Sequence, residues 1–431
     1  MAVAQIIFED LVVYIWQHQL FEHANLTTKS GKKLAVTYPG VRQFDSGPDF
    51  SNASVIIDKL KLAGNIEIHF QEADWEKHNH HKDKAYNSVI LHVVWQSKNI
   101  STKLNNGADV EILQLSDFVD ARLIEHYKVL MQNSDVIPCK QFSPAINQIT
   151  FIQFLTKIAI ERLERKVNDI DALRLRFNND WNQILFVYLA RYLGGKLNND
   201  ALQHLAENTP VRVLYKNLHS LKSIEAILFG QSGLLERNID DEYFNKLKIE
   251  YNYQNRLHSL SGIDAVSLKF SKIRPAAFPS FRIAQLSAII ASGNFSFDKI
   301  LACETVAEFE NSFMMTNHSY WESHFDFNQN QQKKHAFKIG KATLQMLSIN
   351  VLVPILFTYG KYLQEEMYCD KAIVFLESIS KESNGIIRDF EFLNYKPTNA
   401  MESQALIQLK TAYCDRHQCL SCYVGKTVLK S

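Results

Sequence analysis

No strong charge of one sign runs through this 431-residue chain: 47 Lys and Arg stand against 46 Asp and Glu, for a formal net charge of +1. That balance excludes a global basic field as the means of holding a polyanion, although a local groove depends on how charge is distributed. The first ten residues have no basic start and carry Glu9 and Asp10 where a secretory leader needs apolar side chains, so no leader is expected. The most apolar later stretch, Leu347 to Tyr359, is interrupted by Asn350 and Pro354 and reads as too short to cross a bilayer. Six cysteines are too few for a disulfide framework in a chain of this length. Internal repeats and low-complexity tracts are missing as well. So is the His-Glu-x-x-His pair of a zinc hydrolase, and Leu228 to Gly233 lacks the lysine of a nucleotide cradle. The expectation is a cytoplasmic protein with no membrane segment.

What is present is an ordinary globular composition, 46% hydrophobic and 22% charged, in a chain long enough for two or three domains. Apolar residues at helical spacing (Ile7, Leu11, Tyr14, Ile15) predict a helix over residues 6–20. A β-like run over Lys33 to Tyr38 follows, and the turn residues Asp45-Ser46-Gly47-Pro48-Asp49 lead into a second strand near Ser54 to Ile57. Gly64-Asn65 precedes a third strand, Ile66 to Phe70, and a polar stretch, Asp74 to Asn87, reads as a short helix or ordered loop. The almost wholly apolar Val89 to Trp95 is expected in the centre of a sheet. From Phe151 the pattern turns helical, with Phe151 to Val167, Trp181 to Leu193 and Ile283 to Ile290 as the clearest segments. Residues 132–148, with Pro138 and Pro144, mark the main boundary, and a second break is expected over residues 262–279.

The third strand carries the chemistry. Side chains alternate across a strand, so Glu67, His69 and Gln71 share one face while Ile66, Ile68 and Phe70 share the other. Pro48-Asp49 before one strand and Glu67-Ile68-His69 on the next, in the order helix, three strands, polar connection, strand, resembles the PD-(D/E)XK nuclease superfamily. The resemblance covers about a quarter of the chain and implies a restriction-endonuclease-like fold that hydrolyses phosphodiester bonds. It implies Mg²⁺ or Mn²⁺ held by Asp49, Glu67 and the carbonyl of Ile68, hard oxygen donors suited to hard cations. Nucleic acid, with DNA favoured, is the implied partner. His69 stands where the superfamily has lysine; it can accept a proton when neutral and donate one when charged. The competing reading makes Asp49 a turn cap and leaves Glu67 facing water on an edge strand. Glu9 is the acid available from the first helix.

Five of the 15 histidines fall between residues 69 and 92. Three sit in Asp74-Trp75-Glu76-Lys77-His78-Asn79-His80-His81-Lys82-Asp83, and His78, His80 and Asp83 are read as further site residues beside Gln71. The alternative is a solvated helix face. At the other end, Cys414, Cys419 and Cys422 place three thiols in nine residues, the spacing of a zinc or iron–sulfur site. The fourth ligand is either His417 or Cys139, while Cys303 and Cys369 read as buried residues.

Over nearly its full length the chain also resembles a bacterial family known only as a domain of unknown function. Gly47-Pro48-Asp49-Phe50, Gly64 to His69, Asp74-Trp75 to Tyr86, Leu91 to Val94, Arg274-Pro275 to Gln285 and Cys419 to Cys422 carry that likeness. The expected architecture is α+β: a nuclease-like α/β module over 1–135, a helical region over 145–412 open to protein partners, and a cysteine-cluster tail over 413–431. The expected function is a metal-dependent nuclease, with a catalytically silent nucleic-acid- or protein-binding scaffold as the alternative. A third option is a hydrolase of another substrate built on the histidines. Arg274 and Arg282 could hold phosphate or tie down a loop, and Tyr320-Trp321 with His318 and His324 could stack bases or fill a core.

Overall fold

The computed structural model describes residues 2–44, 46–263, 268–315 and 318–431, with side chains from residue 8 onward. Asp45 of the expected turn, the side chain of Ile7 and residues 264–267 of the expected second break lie outside the described residues. The chain forms two compact units, Met1–Asn147 with Lys410–Ser431, and Gln148–Leu409. The cysteine-bearing tail therefore falls within the first unit rather than forming a separate piece.

The first unit begins with α1 (Ala2–Gln17), whose residues Leu11, Val12, Tyr14, Ile15 and Trp16 are buried. Seven strands follow: β1 (Leu34–Tyr38), β2 (Val41–Arg42), β3 (Phe50–Ile57), β4 (Leu60–Gln71), β5 (Val89–Gln96), β6 (Ser101–Lys103) and β7 (Asp109–Gln114). They form one mixed sheet in the order β1-β3-β4-β5-β7-β6, with β2 paired to β3. The pairs β1–β3, β3–β4 and β6–β7 are antiparallel, and β4–β5 and β5–β7 are parallel. A parallel step needs a crossover, and residues 72–88 supply it as α2 (Asp74–Lys77) and two 3₁₀ turns, His80–Lys82 and Lys84–Ser88.

Phe8 of α1 meets Phe70 and Trp95 edge-on, at ring separations of 5.1 and 5.6 Å, so that face of β4 and β5 packs on the helix. The opposite face is covered by the crossover. Trp75, Tyr86, Val89, Leu104 and Val110 form a small apolar cluster there, and each such side chain contributes roughly 1.5–3 kcal/mol on burial. As its composition suggested, β5 is central, with Leu91, His92, Val93 and Val94 buried. Gly64 is required where β4 passes the end of the crossover: a Cβ there would stand 2.5 Å from Ile90 Cγ2 and 2.5 Å from the carbonyl oxygen of Ser88. Gly64→Ala is expected to cost about 1–3 kcal/mol through overpacking, read as a lower urea midpoint; an unchanged midpoint would contradict that packing.

The second unit is helical. Its first helices are α3 (Gln148–Arg176) and α4 (Trp181–Leu193), the latter capped by Asp180, whose carboxylate accepts from Gln183 N at 3.0 Å. The segment expected over Ile283 to Ile290 lies inside a helix, Pro279–Ala291, begun by proline at its first position. Lys341–Leu363 forms 23 residues of continuous helix, long and apolar enough to cross a bilayer, which corrects the reading of that stretch as too short. Its most apolar window is 67% buried inside the fold, the pattern of a core helix. The aromatic–histidine cluster is core: Trp321 is fully buried and donates from Nε1 to buried Glu225 at 2.9 Å, beside Tyr243 and His318. Arg282 is tied to Gln285 at 2.8 Å, a neutral partner rather than an acid.

Candidate functional site

The turn before β3 and the middle of β4 clasp each other. Asp49 N donates to Glu67 Oε2 at 3.0 Å, and Ile68 N donates back to Asp49 Oδ2 at 3.0 Å. The β3–β4 register, with Phe50 opposite Ile66, brings these residues together. Arg42 on β2 pairs with Asp49 Oδ1 and stands 5.3 Å from the Phe50 ring. The two carboxylates are therefore neighbours, near enough for the charge of Asp49 to raise Glu67. Glu67 is 5% exposed and β4 lies between β3 and β5, which overturns the alternative of a water-facing acid on an edge strand. Glu9 reaches the same region from α1, accepting from Phe70 N at 3.4 Å.

Glu67 turns its other oxygen to the histidines. Oε1 lies 3.3 Å from His80 Nε2 and 3.6 Å from His69 Nε2. His69 Nε2 is also 3.3 Å from His78 Nδ1. The ligand nitrogens of His69, His78 and His80 all lie within 4.8 Å of one another. Behind them, His69 Nδ1 meets His92 Nε2 at 2.8 Å, and His92 Nδ1 meets Thr102 Oγ1 at 2.8 Å. His80 stacks on Tyr86 with ring centres 3.9 Å apart. His69, His80 and His92 are buried, whereas His78 is exposed, so the cluster opens to solvent at His78 and at the half-buried Asp49. The histidines are therefore not spread along a solvated helix face.

Burial dominates the proton affinities. It raises Glu67 from 4.5 to about 9, helped by the charge of Asp49, and the N–H of Asp49 offsets only part of that rise. Glu9 rises to about 7 for the same first reason. Burial and then the neighbouring imidazoles push His69 far down, and burial first lowers His80 to about 4 and His92 to about 3. Burial thus favours the neutral form of Glu67 and of these histidines alike.

A pH dependence follows for the metal-free protein. Between 4.5 and about 9 the folded state holds a proton on Glu67 that the unfolded chain has lost, so this stabilisation declines as pH rises. The lowered histidines act in the opposite sense and only below their ordinary value of 6.5. From pH 7 to 9 wild type is expected to lose stability relative to Glu67→Gln, with a limiting slope of roughly 1.4 kcal/mol per pH unit for one proton. Urea midpoints at the two pH values check this; parallel behaviour of the two proteins would contradict it.

The remaining expected site residues fall outside the cluster. Gln71 is exposed at the end of β4, where its N–H donates to Asp74 Oδ2 at 3.2 Å. Asp83 caps the following turn, accepting from Ala85 N at 2.9 Å. Arg42, His92 and Thr102 are site residues that sequence reasoning missed. His92 was visible only as a count of nearby histidines, and neither Arg42 nor Thr102 belongs to any local motif.

Four of the thiols lie near one another in the same unit, although among the described residues only the histidine group brings three or more ligand atoms within 4.8 Å of one another. Cys139, Cys414, Cys419 and Cys422 are all buried and free of disulfides. Burial raises each of them, Cys419 to about 12, and for Cys139 and Cys414 the other cysteines add to the rise. The Cys422 sulfur accepts from the N–H groups of Gly425 and Val424. His417, the other candidate fourth ligand, turns Nε2 to the carbonyl of Asn133 at 3.1 Å. Cys303 is buried and Cys369 half-buried.

Residues 9–385 match a family described as Protein of unknown function (DUF2851). The chain belongs to this DUF2851 family. The matched span contains Asp49, Glu67 and all the clustered histidines, and it ends before the terminal cysteines. No curated protein and no solved structure matches this DUF2851 chain.

Proposed function

We propose that this DUF2851 protein is a metal-dependent hydrolase of phosphodiester bonds in nucleic acid, with DNA favoured over RNA. The observation that carries the reading is the neighbouring placement of Asp49 and Glu67, locked by reciprocal backbone hydrogen bonds beside neutral imidazoles. The restriction-endonuclease-like fold is part of the same proposal. It is supported by the order of elements from α1 to β5 and by the positions of Pro48-Asp49 and Glu67-Ile68-His69 within it.

The residues suit a divalent cation. Two neighbouring carboxylates, one pushed toward its protonated form by burial and by the charge of the other, are the arrangement that a cation would restore to the ionised form. Asp49 and Glu67 would hold Mg²⁺ or Mn²⁺, which when bound polarises the phosphoryl group and favours ionisation of water. Arg42 and Ile68 N fix the Asp49 carboxylate, and Asp49 N fixes Glu67. His69, held neutral, cannot reproduce the charge of a lysine; it offers a lone pair at Nε2 instead. Cys414, Cys419 and Cys422 of the tail, with Cys139, would bind zinc or an iron–sulfur cluster as a structural staple. Four buried free thiols, three from one nine-residue segment and Cys139 near them, support that assignment.

One observation favours a second reading, a silent nucleic-acid- or protein-binding scaffold. Both oxygens of Asp49 are already engaged, by Arg42 and by Ile68 N. Incubation of full-length protein with labelled single- and double-stranded DNA and RNA in Mg²⁺ or Mn²⁺ separates the two. Cleavage abolished by chelation supports the hydrolase, and binding without cleavage under every condition supports the scaffold.

A further inference from the structure

The geometry points to a transition-metal site formed by His69, His78 and His80 with Glu67 as the oxygen donor. This rests on the reading of the same site and deepens it by adding an ion of the zinc class at the histidines, beside the Mg²⁺ or Mn²⁺ proposed at Asp49 and Glu67. Imidazole nitrogens suit zinc and its neighbours, whereas magnesium takes oxygen donors and retains water.

Three features carry the assignment. The first is the donor set itself. Three ring nitrogens lie mutually within 4.8 Å, and Glu67 Oε1 stands 3.3 Å from His80 Nε2 and 3.6 Å from His69 Nε2. Lone pairs that close together are mutually unfavourable unless protons or a cation lie between them; a single cation would serve the three imidazoles, with Glu67 Oε1 beside two of them.

The second is the backbone that aims them. His69 projects from β4, while His78 and His80 flank Asn79, which adopts a left-handed conformation at φ 64°. Asparagine tolerates that conformation better than most residues. The resulting reversal turns both flanking imidazoles to His69, which separates their function from a helix periodicity.

The third is the support behind the cluster. With a cation on His69 Nε2, His69 Nδ1 carries the proton and donates to His92 Nε2 at 2.8 Å. His92 Nδ1 then donates to Thr102 Oγ1 at 2.8 Å. A relay of this kind sets tautomer and ring orientation at metal-binding histidines. Tyr86 stacked on His80 fixes a second ring. Glu67 is placed to serve both parts of the site, Oε2 toward Asp49 and Oε1 toward the histidines.

The test is binding of Zn²⁺ and of Co²⁺ to chelator-dialysed full-length protein. His78→Ala is the main variant, because His78 is exposed and its loss leaves the core packed; His80→Ala is the second. Wild type is expected to bind one ion more than His78→Ala, or to bind that ion at least about 100-fold more tightly, since even partners behind a ligand cost roughly 10–100-fold. The Co²⁺ bands of the histidine site should vanish in the variant, while any thiolate-to-cobalt charge transfer from the cysteine cluster persists. Equal stoichiometry and affinity in wild type and both folded variants would overturn the inference. Zinc binding lost in His78→Ala, with no cleavage of any nucleic acid by the loaded wild type, would sustain this site and overturn the hydrolase. Mg²⁺-dependent cleavage with no zinc bound at the histidines would do the reverse.

Discussion

Trp75→Ala is expected to destabilise the first unit by about 3–5 kcal/mol, the range for deleting a large buried aromatic side chain. Trp75 is 1% exposed and donates from Nε1 to the carbonyl of Lys103 at 3.0 Å. Its ring meets β5 and both 3₁₀ turns of the crossover: His92 at 5.1 Å, His80 at 5.4 Å and Tyr86 at 5.8 Å between centres. The substitution empties that space and leaves the Lys103 carbonyl without its indole donor. Because the chain has two units, a single global unfolding energy is not well defined. Hydrogen exchange resolved by peptide is the suitable measurement. Protection should fall over residues 74–95 and persist in Gln148–Leu409; uniform protection in both units would contradict the packing account.

Asp49→Asn is expected to lower metal-dependent cleavage by at least about 100-fold. Even partners behind a metal ligand cost roughly 10–100-fold when removed, and Asp49 is proposed as a ligand. The amide oxygen can still accept from Ile68 N, so the clasp to β4 keeps its backbone half. What is lost is one negative charge, together with the ion pair to Arg42. Glu67 should titrate lower in the variant, because the charge of Asp49 is one of the causes that raise it. Steady-state cleavage beside a circular dichroism spectrum checks this. Activity within about threefold of wild type, with the fold intact, would remove Asp49 from the chemistry.

Much of the first unit was legible because its elements are locally consistent. The apolar stripe of α1, the turn at Gly47-Pro48 and the apolar run of β5 each point to one structure. Three strands escaped notice for separate reasons. β2 has two residues, β6 is Ser-Thr-Lys, and β7 depends on its parallel partner β5 rather than on a run of its own. The alternation that set Glu67 and His69 on one face of β4 was correct, but it could not show that this face is buried. Burial comes from the crossover folding back, driven by Trp75 and Tyr86 against Leu104 and Val110. The partners of the site were the least readable. Arg42, His92 and Thr102 meet it through strand register, which emerges only once β2, β5 and β6 are placed. Among the thiols, sequence left His417 and Cys139 as equal candidates; the Asn133 carbonyl takes up His417.

The central claim is that the Asp49–Glu67 centre hydrolyses nucleic acid with a bound cation. Its most direct test is cleavage of labelled single- and double-stranded DNA and RNA by wild type and Glu67→Ala, each assayed with Mg²⁺, Mn²⁺ and Zn²⁺. Cation-dependent cleavage by wild type, absent from a folded Glu67→Ala, is the expected result. Cleavage that survives in Glu67→Ala, or none by cation-loaded wild type on any substrate, would contradict it.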